Sequence, residues 1–215
     1  MIIVGAKGFA KELLEVLYQL NRTDNIVFFD DLSSDIPNVI CNKFPLIRDF
    51  SSVQNHFSLI DNKFTLGLGN PFLRKKMYEK FLNFGGEFSS TISPYARISN
   101  FETSVQNGCN ILPGAIISSN VQIKKGTIVY FNSIITHDSS IGEFVQISPG
   151  VSILGRVSIG DLTMVGSNVV ILPDLKIGRN VIIGAGSVVT KDLPDNCIAY
   201  GVPAIIHRYN KVVEI

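Results

Sequence analysis

The sequence is poor in the residues that mark several classes of protein. It has no tryptophan, three cysteines and three histidines, and charged residues make up 17% of its 215 residues. Cys41, Cys109 and Cys197 are odd in number and far apart, which fits neither a disulfide framework nor a set of metal ligands. The formal net charge of +1 gives no field that would draw the chain to nucleic acid or to an anionic membrane.

Long apolar runs are also missing. No stretch is long enough to span a bilayer. The first residues, Met1 to Val4, run directly into a glycine turn and lack the basic start and cleavage site of a signal peptide. We therefore expect a cytoplasmic protein. An apolar content of 46% is that of an ordinary globular chain, long enough for one domain or two small ones.

What the second half of the sequence does have is a strict repeat. An aliphatic residue recurs every six positions, which neither the period of an α-helix nor that of a simple strand explains. A triangular coil with three six-residue faces does explain it, so we predict a left-handed parallel β-helix of hexapeptide repeats. The repeated residues are Ile111, Ile117, Ile123, Val129, Ile135, Ile141, Ile147, Ile153, Ile159, Val165, Ile171, Ile177, Ile183 and Val189.

The repeat converts sequence spacing into geometry. Eighteen residues make one coil, so residues eighteen apart lie about 4.8 Å from one another on neighbouring coils. We expect the segment from Asn100 to Asn110 to absorb an extra residue, because the earlier pair Ile92 and Ile98 has a different phase. The polar segment 190–196 is expected to be a terminal cap. The spacing therefore predicts two sets of residues stacked on successive coils. One set is His137, Gly155, Pro173 and Lys191, and the other is Pro149, Ser167 and Ala185.

The first 88 residues alternate short apolar strands with helices. Strands are predicted at 2–4, 26–29 and 64–68, and helices at 10–20 and 72–83. This pattern indicates a small parallel Rossmann-like sheet, which binds ligands at the carboxyl ends of its strands. We therefore divide the chain into a nucleotide-sugar-binding domain, 1–88, and a β-helix domain with a C-terminal cap, 89–215. The strand ends carry Gly5 to Phe9, Asp30 and Gly69-Asn70.

The two halves together resemble the bacterial sugar acetyltransferases, a family that includes PglD-type and perosamine N-acetyltransferases and NeuD-type sialic acid O-acetyltransferases. The resemblance covers nearly the whole chain. The hexapeptide repeat alone is common to many acyltransferases and some non-enzymes, whereas its combination with this N-terminal half is specific. The matching segments are Ile3 to Glu12, Phe28 to Asp31, Leu66 to Asn70 with Arg74 to Lys76, Thr136 to Asp138, Ile141 to Glu143 and Gly201 to Ala204.

The resemblance implies a homotrimer that binds acetyl-CoA between neighbouring β-helices. Independently of the resemblance, we expect no metal. His137 matches the catalytic base, and Asp138 matches an acidic residue beside it that orients the imidazole. Gly155 matches a glycine whose N–H polarises the thioester carbonyl, and the eighteen-residue rule independently puts it one coil from His137. Ser167, Ala185 and Lys191 are the further candidates for CoA binding.

The resemblance also implies that the N-terminal half holds a nucleotide-linked amino sugar. The turn Gly5-Ala6-Lys7-Gly8, followed by Phe9, lacks the full dinucleotide pattern and is expected to hold a diphosphate instead of a redox cofactor. Asp30 and Asp31 are candidates for the ribose or the base, and Asn70 and Arg74 for other substrate contacts.

The predicted reaction is N-acetylation of a UDP- or dTDP-linked 4-amino-4,6-dideoxy sugar for bacterial surface glycans. Gln146 and Tyr130 depart from the bacillosamine enzyme near the site, which leaves the sugar open. Sugar or sialic acid O-acetylation and a catalytically silent trimeric scaffold remain alternatives. A zinc site like that of the γ-type carbonic anhydrases needs three histidines, and the repeat region has only His137. His56 is expected in a polar loop.

Overall fold

The structure of the protein is a computed structural model that describes residues 1–210. The described chain folds into two compact units, residues 1–91 and the described residues from 92 onward. The predicted fold class is confirmed: a small, mostly parallel sheet with helices is followed by a left-handed parallel β-helix. Within the described residues no helix is both long and apolar enough to cross a bilayer.

The first unit is a six-stranded sheet with the strand order β3-β4-β2-β1-β5-β6. All neighbouring strands are parallel except β3 and β4. Strand β1, in the middle of this sheet, is short and fully apolar, as expected for a strand buried on both faces. The elements of the first unit are β1 (Ile2–Val4), α1 (Gly8–Gln19), β2 (Val27–Phe29), β3 (Val39–Ile40), β4 (Phe44–Ile47), α2 (Phe50–Leu59), β5 (Lys63–Leu66), α3 (Pro71–Asn83) and β6 (Glu87–Phe88).

Two helices of this unit begin at side-chain caps. Asp49 accepts a hydrogen bond from the Ser52 N–H at the start of α2, and Asn70 accepts one from the Leu73 N–H at the start of α3. Pro71 occupies the first turn of α3, where its missing N–H leaves no helical hydrogen bond unmade. These local signals define the ends of the β-strands before them.

Strands β3 and β4 and helix α2 have no counterpart in the sequence prediction. The expectation that His56 lies in a polar loop is wrong, because the residue is in α2 and is buried. The segment looks polar, but two of its rings join a buried aromatic cluster. The members of this cluster, with ring centroids 4.8–6.4 Å apart, are Phe29, Phe50, Phe57, Phe64 and Phe81.

The second unit consists of three sheets, whose strands are two residues long except for the longer β24 and β25 at the C-terminal end. One sheet holds β7 (Thr91–Ile92), β10 (Asn110–Ile111), β13 (Ile128–Val129), β16 (Gln146–Ile147), β19 (Met164–Val165), β22 (Ile182–Ile183), β24 (Cys197–Gly201) and β25 (Ala204–Tyr209). The next holds β8 (Arg97–Ile98), β11 (Ile116–Ile117), β14 (Ile134–Ile135), β17 (Ser152–Ile153), β20 (Val170–Ile171) and β23 (Val188–Val189). The last holds β9 (Ser104–Val105), β12 (Gln122–Ile123), β15 (Ser140–Ile141), β18 (Ser158–Ile159) and β21 (Lys176–Ile177).

The register of these sheets confirms the eighteen-residue coil. Ile117 pairs with Ile135, and Val129 with Ile147. All fourteen repeated aliphatic residues are buried, and they form one continuous core inside the coil. The extra residue predicted between 100 and 110 is present, because Ile98 pairs with Ile117, nineteen positions later.

The end of the β-helix is longer than a simple cap. Leu193 bridges to Ile177, and β24 adds to β22 in parallel before β25 returns antiparallel to it. Leu193 and Cys197 are both buried in the core of the coil. The chain after Val189 therefore closes the open end of the apolar core, and the predicted cap segment is the start of that closure.

Candidate active site

The β-helix presents His137 at a corner between two strands. His137 and Asp138 form the turn that joins β14 to β15. Asp138 has the left-handed backbone conformation, φ 61°, which a short polar side chain such as Asp or Asn tolerates. This turn directs the imidazole outward, and half of the side chain is exposed. The histidine is therefore accessible to a substrate while its backbone is held by the coil.

Asp138 engages one nitrogen of that imidazole. Nδ1 of His137 lies 2.6 Å from Oδ2 of Asp138. A carboxylate only accepts hydrogen bonds, so Nδ1 carries the proton of this contact and Nε2 keeps a lone pair in the neutral ring. The hydrogen bond from His137, followed by one from Asn120, lowers the pKa of Asp138 below its usual value. The pair thus presents Nε2 as a proton acceptor.

Gly155 lies directly against the histidine ring on the next coil. A methyl group at position 155 would lie 2.6 Å from Cε1 of His137 and 2.7 Å from Nε2. Both distances are shorter than a real contact allows, so only glycine leaves the ring in this place. Within residues 1–210 the Gly155 N–H donates to no acceptor. An open N–H donor and a proton acceptor therefore flank the same point, as acyl transfer requires.

A second corner carries two of the other residues predicted to bind CoA. Ser167 and Ala185 occupy the same turn position on successive coils, with Ser167 half-buried and Ala185 exposed. The Ser167 carbonyl accepts a hydrogen bond from Gly186, but neither the Ser167 nor the Ala185 N–H has an acceptor in the described part of the chain. Lys191 is exposed beyond β23, on the corner that carries His137. These groups offer backbone donors and one cation to an extended anionic ligand.

The two cysteines of the second unit do not contribute to this site. Cys109 and Cys197 are both buried within the coil. Burial raises the pKa of the Cys197 thiol, which opposes formation of a nucleophilic thiolate. The arrangement therefore favours direct transfer over a cysteine-bound acyl group.

The first unit has its own cavity, of about 340 Å³, at the carboxyl ends of β1, β2 and β5. Gly5 closes the floor of this cavity with φ +100°, and a Cβ there would lie 2.8 Å from the Gly67 carbonyl oxygen. The predicted residues that line it are Gly5, Ala6, Lys7, Phe9, Asp30 and Asp31.

The two acidic residues of this cavity, Asp30 and Asp31, differ in what their carboxylates contact. Oδ1 of Asp30 accepts the backbone N–H groups of Leu32 and Ser33, so this carboxylate shapes its own loop. Asp31 is exposed in the same lining. Lys7 is also exposed, with Nζ 3.8 Å from Asp35. Asp31 and Lys7 are therefore the charged side chains best able to meet a ligand.

Three predicted substrate residues do not line the cavity. Gly8 is the exposed first residue of α1. The side-chain oxygen of Asn70 accepts the hydrogen bond that caps α3. Arg74 is fully buried, and its guanidinium donates to the Gly69 carbonyl. Asn70 and Arg74 thus order the backbone that borders the cavity.

The sequence prediction missed Arg48, which holds the loop after β2. Its guanidinium donates to the carbonyls of Ser33, at 2.8 Å, and Ile36, at 2.5 Å. These partners are backbone groups 12–15 positions earlier in the chain, so no sequence motif predicts the contact. Arg48 therefore acts on the cavity through the loop that carries Asp31.

Gln146 is the first residue of β16, and Tyr130 directly follows β13, the strand that pairs with β16. Oε1 of Gln146 is buried and has no hydrogen-bond partner within the described chain. A buried amide oxygen without a donor is costly, so it marks a place where a ligand or another chain can supply one. The described residues contain no group of three His, Cys, Asp or Glu side chains that could hold a metal ion.

Comparison with known proteins identifies both units. The PglD N-terminal domain matches residues 1–81, and the bacterial transferase hexapeptide, a model of six repeats, matches residues 138–173 and 160–191. The second unit therefore carries the repeats of the bacterial hexapeptide transferases, and His137 lies directly before the first matched residue. More narrowly, the combination of a PglD-type N-terminal domain with hexapeptide repeats resembles that of the bacterial sugar acetyltransferases.

Solved relatives share the whole architecture. PerB from Caulobacter crescentus, solved in complex with CoA and GDP-perosamine, is 26% identical, with a TM-score of 0.88 over 96% of each chain. The acetyltransferase domain of PglB from Neisseria gonorrhoeae, solved with acetyl coenzyme A, is 27% identical, with a TM-score of 0.86 over 96% of this chain and 98% of that one. GDP-perosamine N-acetyltransferase of Escherichia coli O157:H7 is 28% identical over 160 residues, which are 72% of this chain and 70% of that protein.

Proposed function

We propose that this enzyme transfers the acetyl group of acetyl-CoA to the amino group of a nucleotide-linked 4-amino-4,6-dideoxy sugar, with His137 as general base. One observation carries the proposal: the His137 ring, engaged at Nδ1 by Asp138, packs on Gly155, whose N–H is open. A base and an oxyanion donor on adjacent coils are what attack on a thioester carbonyl needs.

The reaction proceeds by direct transfer. The sugar amine attacks the thioester carbon, and Nε2 of His137 takes the proton that the nitrogen loses. The Gly155 N–H donates to the tetrahedral oxyanion, which collapses and breaks the carbon–sulfur bond. The thiolate of CoA leaves with the electron pair and receives the proton from His137, so the base is restored. Asp138 accepts from Nδ1 throughout and stabilises the imidazolium.

Acetyl-CoA is the proposed acyl donor. The open N–H groups of Ser167 and Ala185 suit the amide-rich arm of CoA, and the exposed Lys191 suits a phosphate. The solved relatives that contain CoA or acetyl coenzyme A support this assignment. The unpartnered Gln146 oxygen fits a second chain that completes the site, and the proposed assembly is the homotrimer that the family resemblance implies.

The cavity of the first unit is the proposed site for the nucleotide-sugar. Lys7 and the turn from Gly5 to Phe9 suit the diphosphate, and Asp31 suits hydroxyl or base N–H groups. The sequence analysis expected UDP or dTDP, whereas the perosamine relatives act on a GDP sugar. All three nucleotides therefore belong in the substrate panel.

The decisive experiment follows CoA release with acetyl-CoA and UDP-, dTDP- and GDP-linked 4-amino-4,6-dideoxy sugars. We expect one amino sugar to be turned over and His137→Ala to lower its kcat about 10²- to 10⁴-fold, the usual contribution of a general base. Glu143→Ala is the matched control, since Glu143 holds the same turn position at the next corner and pairs with Lys125 on the surface.

Three results would contradict the proposal. Equal turnover by wild type and His137→Ala would remove the base. Turnover of the matching 4-hydroxy sugar but not of the amine would support O-acetylation. No turnover of any acceptor, together with tight nucleotide binding, would support a scaffold.

A further inference from the structure

Asp138 is held by the coil before it as well as by His137. Asn120 precedes Asp138 by eighteen residues, and its Nδ2 donates a 2.8 Å hydrogen bond to Oδ1 of Asp138. Oδ2 of the same carboxylate accepts from His137. Because each oxygen has a different side-chain donor, rotation of the carboxylate about its Cβ–Cγ bond is restrained, and with it the plane of the imidazole.

The backbone explains how two short side chains reach each other. Asn120 and Asp138 occupy the same turn position on successive coils, both in the left-handed conformation, with φ 53° and 61°. Residues stacked in this way are separated by about the strand spacing of 4.8 Å, which an amide and a carboxylate bridge. An amide at position 120 also donates without adding a second negative charge beside Asp138.

The next residue in the stack is engaged elsewhere. Arg156, one coil after Asp138, directs Nε and NH2 to the two carboxylate oxygens of Asp174, at 2.5 and 2.9 Å. Its charge helps to lower the pKa of Asp138, after the larger effects of the hydrogen bonds from His137 and Asn120. Arg156 therefore supports the ionised carboxylate at a distance and leaves the orienting hydrogen bond to Asn120.

We infer that Asn120 is a positioning residue for the acetyl transfer: through Asp138 it fixes the orientation of the His137 ring over Gly155. This inference rests on the proposed role of His137 as base. It assigns to Asn120 no contact with either substrate, so its effect must pass entirely through Asp138.

A series of glycine substitutions tests this role, because glycine removes the side chain while keeping the left-handed turn unstrained. We expect Asn120→Gly to lower kcat/KM roughly three- to tenfold, in line with the loss of one exposed hydrogen bond to a charged group. Asn21→Gly is the control, since Asn21 is an exposed asparagine with φ 54° that follows α1 in the first unit. It should leave kcat/KM unchanged.

The double variant, Asn120→Gly with Asp138→Gly, distinguishes action through Asp138 from a purely structural role of Asn120. If Asn120 acts through Asp138, then Asn120→Gly has no further effect on kcat/KM in an Asp138→Gly background.

The outcomes separate this inference from the proposed function. Loss of activity in His137→Ala with equal activity in Asn120→Gly and Asn21→Gly would overturn the role of Asn120 alone. Additive losses in the double variant would overturn it as well, since they would show an effect independent of Asp138. Full activity in His137→Ala would overturn the proposed function itself.

Discussion

The two units of this protein assemble their sites from residues with very different separations in the sequence. In the β-helix, Asn120, Asp138 and Arg156 follow one another at intervals of eighteen, and each contacts or influences its neighbour on the next coil. In the N-terminal unit, the cavity gathers residues from the ends of three strands, and Arg48 holds one of its loops from a fourth. Spacing alone predicts contacts only where every coil repeats the same backbone path.

The largest expected effect tests the stacking of Gly155 on His137. Gly155→Ala would put a methyl group within 2.7 Å of Nε2, and the nearest atoms all belong to the histidine ring. The ring should swing away and leave the coil intact, so we expect a loss in kcat of about 100-fold or more with a small change in Tm.

The comparison variant for this test is Gly142→Ala. A methyl group at position 142 meets the Asp161 backbone nitrogen at 2.6 Å, which cannot move without distorting the coil. We expect this variant to lose about 1–3 kcal/mol of stability in chemical denaturation, the usual cost of overpacking. If Gly155→Ala destabilised the fold as much as Gly142→Ala and kept its activity, the stacking at the active corner would have no catalytic meaning.

A smaller effect tests the non-local support of the N-terminal cavity. Arg48→Ala removes the donors to the Ser33 and Ile36 carbonyls, so the loop that carries Asp31 should lose its fixed shape. We expect KM for the nucleotide-sugar to rise about tenfold, with kcat and KM for acetyl-CoA little changed, because ordering the loop would then oppose binding. Steady-state kinetics with each substrate varied in turn measures this.

Arg48→Lys and Arg22→Ala sharpen the same test. A lysine keeps the charge but cannot hold several carbonyls in a fork, so it should behave like alanine. Arg22 is exposed in the same unit, and its side chain should be dispensable. A KM for acetyl-CoA that rises together with that for the sugar would show that Arg48 supports the whole fold and not this loop.

The smallest effect concerns His56 and the stability of the N-terminal unit in acid. Burial lowers the pKa of His56; the Met1 ammonium acts in the same direction and Asp61 in the opposite one. The unfolded chain therefore binds this proton more readily, so stability falls as pH drops below the ordinary histidine value. One such group changes the free energy of unfolding by at most about 1.4 kcal/mol per pH unit.

Denaturant unfolding of wild type and His56→Gln between pH 7.5 and 5 measures this contribution. The glutamine variant should lose less stability over that range. His207→Gln is the control, because His207 is exposed. An identical pH dependence of wild type and His56→Gln would show that His56 titrates in the folded state as it does in the unfolded chain.

The parts of the fold that the sequence failed to predict have a common physical cause. The segment from Val39 to Leu59 reads as polar and irregular, yet β4 pairs with β2, and the rings of Phe50 and Phe57 contact Phe81, more than 20 positions away. The inward side of α2 carries Phe50, Val53, His56 and Phe57 at helical spacing, but polar residues fill the rest of this ten-residue helix, and a segment this short gives only a weak period. Likewise, only the structure directs the Arg74 guanidinium onto the Gly69 carbonyl, where it no longer faces the cavity.

By itself, the sequence determined the β-helix and the proximity of His137, Asp138 and Gly155. The reason is that an inward aliphatic residue every six positions permits one coil length, and the coil length sets which residues are stacked. Only the tertiary structure decided which hydrogen bonds fix these groups in place. Asn120 donates to Asp138, Arg48 donates to the loop that carries Asp31, and Arg156 donates to Asp174. Such contacts depend on the direction of individual side chains, which a hydrophobic period does not encode.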